Sequence, residues 1–352
     1  MALFFHGFDF YDNNNPPSGA AIGQIFDAGS GAGTFITGAF GYGRCMSIVS
    51  TPVNKTFANI PGAGAGQWGT VYLAYHFITS STSLGDGTNN YITFYDGATV
   101  QAVIRVDSSG YIKFYRGNGT TLLGTSSTPI TPSVYHYLSI KVVFSSTVGA
   151  VTINLDGVTV LSLTGVNTIS TANAYSTKIG MLRAGNSNVY EWFHDNLHLY
   201  NGTDQAPFNA MLEEKNGRVY FFLPNADGAL TGWTASTSPK WSCIDDNPTN
   251  STDYISASTV GENYSATKPA TSNIAAVNAV QLWGYVDKDD ATTRGIKLLM
   301  RSAAGNNYYG TELLTSTTWQ FTLYQCLLDP ETSAPWTLSA FNSYQPGIQV
   351  TT

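Results

Sequence analysis

The sequence predicts an all-β chain, with two antiparallel β-sandwich (jelly-roll-like) domains in tandem and little helix. Three observations predict it. Thr, Ser, Gly, Val and aromatic residues abound while charged residues make up only 11% of the chain, which favours short strands and turns over amphipathic helices. Apolar residues alternate with period two in short runs, and turn formers such as Asp96-Gly97 and Asp156-Gly157 separate those runs. A length of 352 residues is enough for two domains, each with its own core.

Residues Leu3 to Tyr11 form a short aromatic strand, stopped by the turn-forming run Asp12 to Gly19. The stretch to Gly69 is rich in glycine, with strand-like pieces at Gly33 to Phe40 and Arg44 to Val49. From Thr70 the alternation sharpens: Val71, Leu73, Tyr75 and Phe77 share one face, and Tyr72, Ala74 and His76 the other. Strands at Tyr91 to Tyr95, Val100 to Val106 and Tyr111 to Tyr115 follow, joined by hairpin turns at Asp96-Gly97 and Asp107 to Gly110. In Tyr135 to Phe144 the residues Leu138, Ile140, Val142 and Phe144 point inward, and Ser139 and Lys141 outward. Val151 to Leu163 is a hairpin folded at Asp156-Gly157, and Lys178 to Leu182 and Tyr190 to Tyr200 close the first domain.

The first domain is thus residues 1–201, a surface-exposed link covers 202–216, and a second sandwich occupies 217–352. That second sandwich opens with a strand at Arg218 to Pro224 and a tight turn at Asn225 to Gly228. Ile274 to Asp287 is apolar at successive positions, the pattern of a strand buried on both faces. After a polar turn at Asp287 to Asp290 come strands at Gly295 to Arg301, Tyr308 to Leu314 and Trp319 to Leu328. A helical turn over Pro335 to Asn342, capped by Thr337, precedes a last strand at Gly347 to Val350.

A formal charge of -7 and the absence of any basic patch argue against a nucleic-acid partner. No apolar run approaches bilayer length and the N-terminus lacks the form of a signal peptide, so neither a membrane partner nor secretion is expected. Synthesis and assembly in a cytoplasm follow as the expectation. Cys45, Cys243 and Cys326 are far apart and odd in number, which suits buried thiols rather than a disulfide framework or a zinc site.

The six glutamates, Glu191, Glu213, Glu214, Glu262, Glu312 and Glu331, form no Glu-x-Asp-x-x-Glu arrangement, so glycoside hydrolysis by paired carboxylates gains no support. His194 and His198 flank Asp195, but residues four apart on a regular strand are separated by roughly 13 Å. They cannot share one ion there, and outward polar positions are the plainer reading. Asp245, Asp246, Asp253 and the run Asp287 to Asp290 suit hydrated turns, and Gly62 to Gly66 has no strand-to-helix context for a phosphate loop. No catalytic residue and no cofactor are expected. Exposed Trp or Tyr could stack on sugar rings, although most aromatics fall at core-facing positions.

Residues 70–200 resemble a laminin-G or concanavalin-A-like jelly roll, through the Asp156-Gly157 hairpin and the closing text Asp195-Asn196-Leu197-His198-Leu199-Tyr200. That resemblance makes Asp195 and Asn196 the candidates for a calcium site, though one carboxylate is few against the usual six to eight oxygen ligands. The chain as a whole resembles structural proteins of tailed bacteriophage virions. The matching text is Gly7 to Tyr11, Asp195 to Tyr200, Gly217 to Gly228, Gly232-Trp233, Asp245 to Pro248, Asp253-Tyr254, Asp329 to Thr332, Trp336-Thr337 and Gly347-Ile348. His6 departs from the usual small or acidic residue, and Asn196 replaces a second aspartate. The resemblance implies a non-enzymatic exterior component, head decoration or tail- or fibre-associated, located in the virion. Capsid or tail subunits and further copies of the chain would be its partners. The alternative is a receptor-binding, lectin-like module that recognises host surface glycan.

Overall fold

The computed structural model describes residues 3–6, 34–37, 44–47, 54–57, 67–79, 84, 90–182, 192–203, 206–213, 217–246 and 251–352. The expected turn at Asp12 to Gly19, the glycine run Gly62 to Gly66, Glu191, Glu214 and residues 7–11 of the first strand lie outside them. The chain divides into two compact units, Met1–Tyr220 and Phe221–Thr352. It is all-β, in antiparallel sandwiches. Its helix among the described residues is a 3-10 turn at Lys240–Cys243 and one α-helix, α1, at Leu338–Ser343.

The first unit carries β1 (Leu3–His6), β2 (Thr34–Thr37), β3 (Arg44–Ser47), β4 (Asn54–Phe57), β5 (Thr70–Thr79), β6 (Asn90–Asp96) and β7 (Thr99–Val106). It continues with β8 (Tyr111–Arg116), β9 (Thr121–Pro129), β10 (His136–Val143), β11 (Gly149–Leu155), β12 (Val158–Val166), β13 (Lys178–Leu182) and β14 (Trp192–Tyr200). One sheet runs β12-β11-β10-β5-β14-β3-β2, with β1 also on β14; the other runs β4-β13-β6-β7-β8-β9. Placing β14 beside β5 joins strands over a hundred residues apart, the long connection of a jelly roll. The alternation sets which faces meet: Val71, Leu73, Tyr75 and Phe77 with Leu138, Ile140 and Val142 from one sheet, and Ile92, Phe94, Ile104 and Phe114 from the other, are all buried. Phe94 and Phe144 cross between the sheets as an edge-on pair with centroids 5.6 Å apart.

The second unit holds β15 (Ala226–Thr231), β16 (Thr234–Ala235), β17 (Ile255–Ser256), β18 (Asn263–Thr267), β19 (Val280–Val286), β20 (Gly295–Arg301), β21 (Asn307–Tyr309), β22 (Leu313–Leu314), β23 (Gln320–Cys326) and β24 (Gln345–Val350). Its main sheet runs β15-β18-β24-β20-β21 with β22 also on β20, while β19 and β23 form a separate ribbon. Leu282, Val286 and Tyr324 of the ribbon pack on a core of Trp233, Tyr264, Ile296, Leu298 and Ile348 from the main sheet and its flank. Thr337 caps α1 as expected, its hydroxyl accepting from the Ala340 N–H at 3.0 Å.

Several expectations are corrected. Residues 218–225 form no strand, and the anticipated turn at Asn225 to Gly228 instead opens β15, because Asp227 and Gly228 lie alongside β18. The strand expected over Ile274 to Asp287 starts only at Val280 and is half-buried throughout rather than buried on both faces. Tyr308 to Leu314 splits into β21 and β22. Cys243 and Cys326 are buried thiols, as anticipated; the Cys45 side chain lies outside the described residues.

The tightest backbone approach in the second unit is at Gly347, between β18 and β20, where a β-carbon would stand 2.2 Å from the Tyr264 carbonyl oxygen. Neither strand can yield without losing ladder bonds. Gly347→Ala should therefore cost about 1–3 kcal/mol or more by overpacking. Gly97→Ala, at a left-handed turn with open space around it, should cost only about 1 kcal/mol. Urea denaturation of both variants tests the ranking, and equal costs would contradict it.

Candidate functional site

His76, Asp195, His198 and Tyr200 gather on the non-core face of the larger sheet of the first unit. In a regular strand Asp195, Leu197 and Leu199 would share one face. The β14–β5 register instead pairs Asp195 with His76, His198 with Ala74 and Tyr200 with Tyr72, with a bulge between Asp195 and His198. One extra residue in β14 shifts the alternation, so Asp195, His198 and Tyr200 all stand on the His76 side while Leu199 faces Leu73. Asn196 takes the bulge at φ 51°, a left-handed conformation that asparagine tolerates better than most residues.

This face is covered by the chain itself. Tyr200 stacks on Tyr72 at 4.9 Å and meets Phe208 edge-on at 5.7 Å. Its hydroxyl donates to the Ala210 carbonyl at 2.7 Å and accepts from the Leu212 N–H at 3.0 Å. Phe208 and Leu212 are buried, so the stretch expected to be a surface link is partly core. Farther on, Gly217 passes so close to Tyr137 that a β-carbon would lie 2.3 Å from its phenol oxygen. The Val219 N–H donates to Asn196 Oδ1 at 2.7 Å.

Both calcium candidates are buried within this arrangement. Asp195 Oδ1 accepts the Asn196 N–H at 2.7 Å, and the Asn196 side chain holds the returning chain at Val219. Among the described residues no group of three or more His, Cys, Asp or Glu could hold a metal ion. His198 was expected on an outward position; it does stand on the non-core face of the sheet, but it is buried there, and its Nδ1–H donates to the Asn196 carbonyl at 2.8 Å. The side chain of His194 lies outside the described residues. Ser139, also expected outward, is buried under the same cover.

Burial sets the histidine chemistry. His76, with its ring 4.7 Å from that of Tyr137, is pulled down to about 3 by desolvation first, then by His198 and Arg218, against a smaller opposing pull from Asp156. His198 is pulled down to about 4 by desolvation, which its bond to the Asn196 carbonyl only partly offsets. Both are neutral at pH 7. His136 behaves oppositely: desolvation pulls it down, but hydrogen bonds to Asp156 at 2.6 Å and to the Thr131 carbonyl at 2.9 Å outweigh that and raise it. Asp156 is in turn held below the usual carboxylate range, since burial is outweighed by His136 and by the Tyr137 N–H at 2.8 Å. Asp156 sits at φ 52° in the hairpin turn, so one residue shapes the turn and pairs with the neighbouring strand. Sequence reading saw only the turn; a histidine opening the strand beside it was the available signal.

Asp290, Glu331 and Glu312 serve local structure. Asp290 accepts from the Thr292 N–H and hydroxyl and pairs with Arg294 at 3.0 Å. Glu331 accepts from the Tyr308 hydroxyl at 2.9 Å and from Asn306 at 3.0 Å. Glu312 accepts from the Thr351 hydroxyl. A shallow open recess of about 580 Å³ lies beside Arg116, Asn167, Ser170 and Thr171 in the first unit.

No family model matches the chain, and no curated protein matches it. Among solved structures it is similar to an alginate lyase in complex with alginate tetrasaccharide, at 13% identity and a TM-score of 0.38, over 57% of this chain and 97% of that one. It is also similar to domain 4 of an extracellular arabinanase from Geobacillus stearothermophilus in complex with arabinotriose, at 13% identity and a TM-score of 0.37, over 56% and 90%. A galectin from Caenorhabditis elegans matches at 13% identity and a TM-score of 0.26, over 42% and 94%. At these scores nothing about activity or ligand follows for this chain.

The histidines give stability a definite pH dependence. His76 and His198 have folded values below the unfolded value of about 6.5, so their contribution is complete above that pH and is lost as pH falls toward 4 and 3. His136 has the opposite sign, contributing below about 6.5 and losing that contribution as pH rises through its raised folded value. The unfolding free energy from urea denaturation should therefore fall between pH 6.5 and 4, by at most ~1.4 kcal/mol per pH unit for each neutral histidine, and the midpoint with it, and His76→Phe should flatten that slope. A midpoint flat over this interval would contradict the assignment. Asp156→Asn should return the His136 imidazole toward its ordinary value, read by proton NMR titration.

Proposed function

We propose that the chain is a non-enzymatic structural protein of a tailed-phage virion, an exterior component of head decoration or of the tail or fibre, held by protein–protein contacts. The observation that carries this reading is how the second unit uses the polar residues of its virion-like text. Asp227 accepts from the Tyr264 hydroxyl at 2.8 Å and from the Trp241 N–H at 2.9 Å. The Trp233 indole donates to the Glu262 carbonyl at 3.2 Å. Asp329 accepts from the Tyr344 hydroxyl at 2.6 Å, the Glu331 N–H at 2.9 Å and the Thr332 hydroxyl at 3.0 Å. The Trp336 indole donates to the Cys326 carbonyl at 3.0 Å.

Each of these groups holds two segments of its own unit together. Polar groups satisfied in this way, Asp329 and the Trp233 and Trp336 indoles among them on buried residues, fix one conformation, which serves a scaffold exposed outside a cell. An active site needs reactive groups aimed at a substrate, and these are aimed at the fold. In this reading the chain assembles with capsid or tail subunits and with copies of itself.

A second reading, a lectin-like module recognising host surface glycan, is favoured by one observation: Trp283, Tyr285, Trp319 and Phe321 cluster on the ribbon of the second unit. The two readings separate on purified particles. Quantitative mass spectrometry of washed virions should find the chain at a copy number set by capsid or tail symmetry. Its presence only in infected-cell lysate would refute the structural reading. Unchanged host adsorption by particles lacking it would count against the glycan reading.

A further inference from the structure

We propose that the open recess beside Arg116 in the first unit binds the carboxylate of an acidic sugar; this gives the glycan reading above, on which it rests, a site. Three segments meet there: the end of β8 with Arg116, the turn between β10 and β11 with Ser146, and the loop after β12 from Asn167 to Ala172. The turn that leaves β8 closes on that loop, since a β-carbon on Gly117 would lie 3.8 Å from that of Ser170.

The loop is fixed before any ligand arrives. Gln101, which has no exposed surface, accepts the Ser170 and Thr171 N–H groups at 2.8 and 3.1 Å. Its Nε2 donates to the Thr171 hydroxyl at 2.8 Å and to the Asn173 carbonyl at 2.7 Å. Asp96 accepts from the Thr171 hydroxyl and from the Asn173 amide, each at 2.9 Å. Thr168, equally buried, ties the start of the loop to the Val143 carbonyl at 2.8 Å. A wall held in this way loses little freedom on binding.

What the recess leaves open is a set of donors. Arg116 makes one long hydrogen bond, to the Thr121 hydroxyl at 3.4 Å, and no ion pair among the described residues. The Asn167 side chain gives its oxygen to the Ile169 N–H at 3.0 Å, which leaves its amide nitrogen unclaimed. The hydroxyl of the exposed Ser146 is likewise without a partner among the described residues. Arg116 is the one charged residue among the described residues that line the recess, and its planar fork matches the two oxygens of a carboxylate. A phosphate would need the backbone N–H groups that cradle such anions. Those of Ile169, Ser170 and Thr171 are taken by Asn167 and Gln101.

The rest of the lining describes the body that carries the carboxylate. At about 580 Å³ the recess is far larger than a carboxylate and falls within the roughly 300–1,000 Å³ of small-molecule sites. Ser146, Asn167 and Ser170 offer hydroxyls and an amide, and Ile169 and Ala172 offer apolar contact. A hydroxylated ring with an apolar C–H face complements both. An aspartate or glutamate of another protein would arrive on an apolar stem and leave the Asn167 and Ser146 donors unanswered.

The test is saturation-transfer NMR on the full chain, titrated with the methyl glycosides of glucuronate, galacturonate and N-acetylneuraminate, with methyl glucoside and acetate as contrasts. At least one acidic glycoside should bind, more weakly as salt rises, and neither contrast should. Arg116→Gln should weaken that binding at least tenfold. Asn167→Asp should do the same, because it keeps an acceptor for the Ile169 N–H while turning the donor into a like charge. Both variants should keep the wild-type urea midpoint, so lost binding could not be ascribed to lost folding. A wild-type chain that binds no acidic glycoside would overturn the site, as would acetate bound as tightly as the sugars or unchanged binding by Arg116→Gln. Host adsorption separates the site from the reading beneath it. Normal adsorption of particles carrying Arg116→Gln, with sugar binding lost, would leave the site standing and overturn the glycan reading. Adsorption that needs the chain while the chain binds no acidic glycoside would keep the reading and overturn the site.

Discussion

The first unit depends on one irregularity, the extra residue at Asn196. Without it the β14 side chains would alternate in step with β5, and Asp195 and His198 would take opposite sides. With it, a row of polar and aromatic side chains collects on the face that a sandwich ordinarily leaves to solvent. Such a face can be buried only if its polar atoms find partners. The chain supplies them by turning back after Tyr200: the Tyr200 phenol takes the backbone at Ala210 and Leu212, and the Asn196 amide takes it at Val219. The bulge and the returning segment therefore require each other.

Histidines on adjoining strands are shifted in opposite directions by what each can reach. His76 and His198 meet desolvation first and are neutral. His136, on the adjoining strand, reaches the carboxylate of Asp156 and retains its proton more strongly. Similar burial thus gives opposite shifts, decided by the hydrogen bonds that each ring makes. The second unit has a comparable economy of polar groups without histidine: Asp227 and Asp329 each gather a tyrosine hydroxyl and backbone N–H groups around one carboxylate.

Where the sequence was legible, the reason was periodicity. Val71 to Phe77 and Leu138 to Phe144 alternate strictly, and their inward residues are the core; the hairpin at Asp156-Gly157 and the Thr337 cap are local signals that need no tertiary context. Strands without alternation were missed. Thr121–Pro129, without alternation and closed by a proline, is an edge strand. The bulge at Asn196 was invisible because its cause is tertiary: nothing near Asp195 announces that Val219 will return to it. For the same reason the 13 Å spacing inferred for His194 and His198 assumed a regular strand that does not exist. The aromatic face of β19 was misread because an apolar residue at every position looks the same whether the second face meets a core or a surface.

The Asp156 turn constrains how the molecule can be altered. Exposed hairpin tips are ordinarily where a chain accepts inserted tags or epitopes. Here the carboxylate that faces His136 is itself a turn residue, and the Asp156 N–H donates to the Tyr137 carbonyl of the adjoining strand at 2.9 Å. An insertion that lengthens this loop would draw the counterion away from a buried imidazole. Loop length at this tip is thereby tied to the proton affinity of the histidine on the strand beside it, and this hairpin becomes one of the least editable positions of the sandwich.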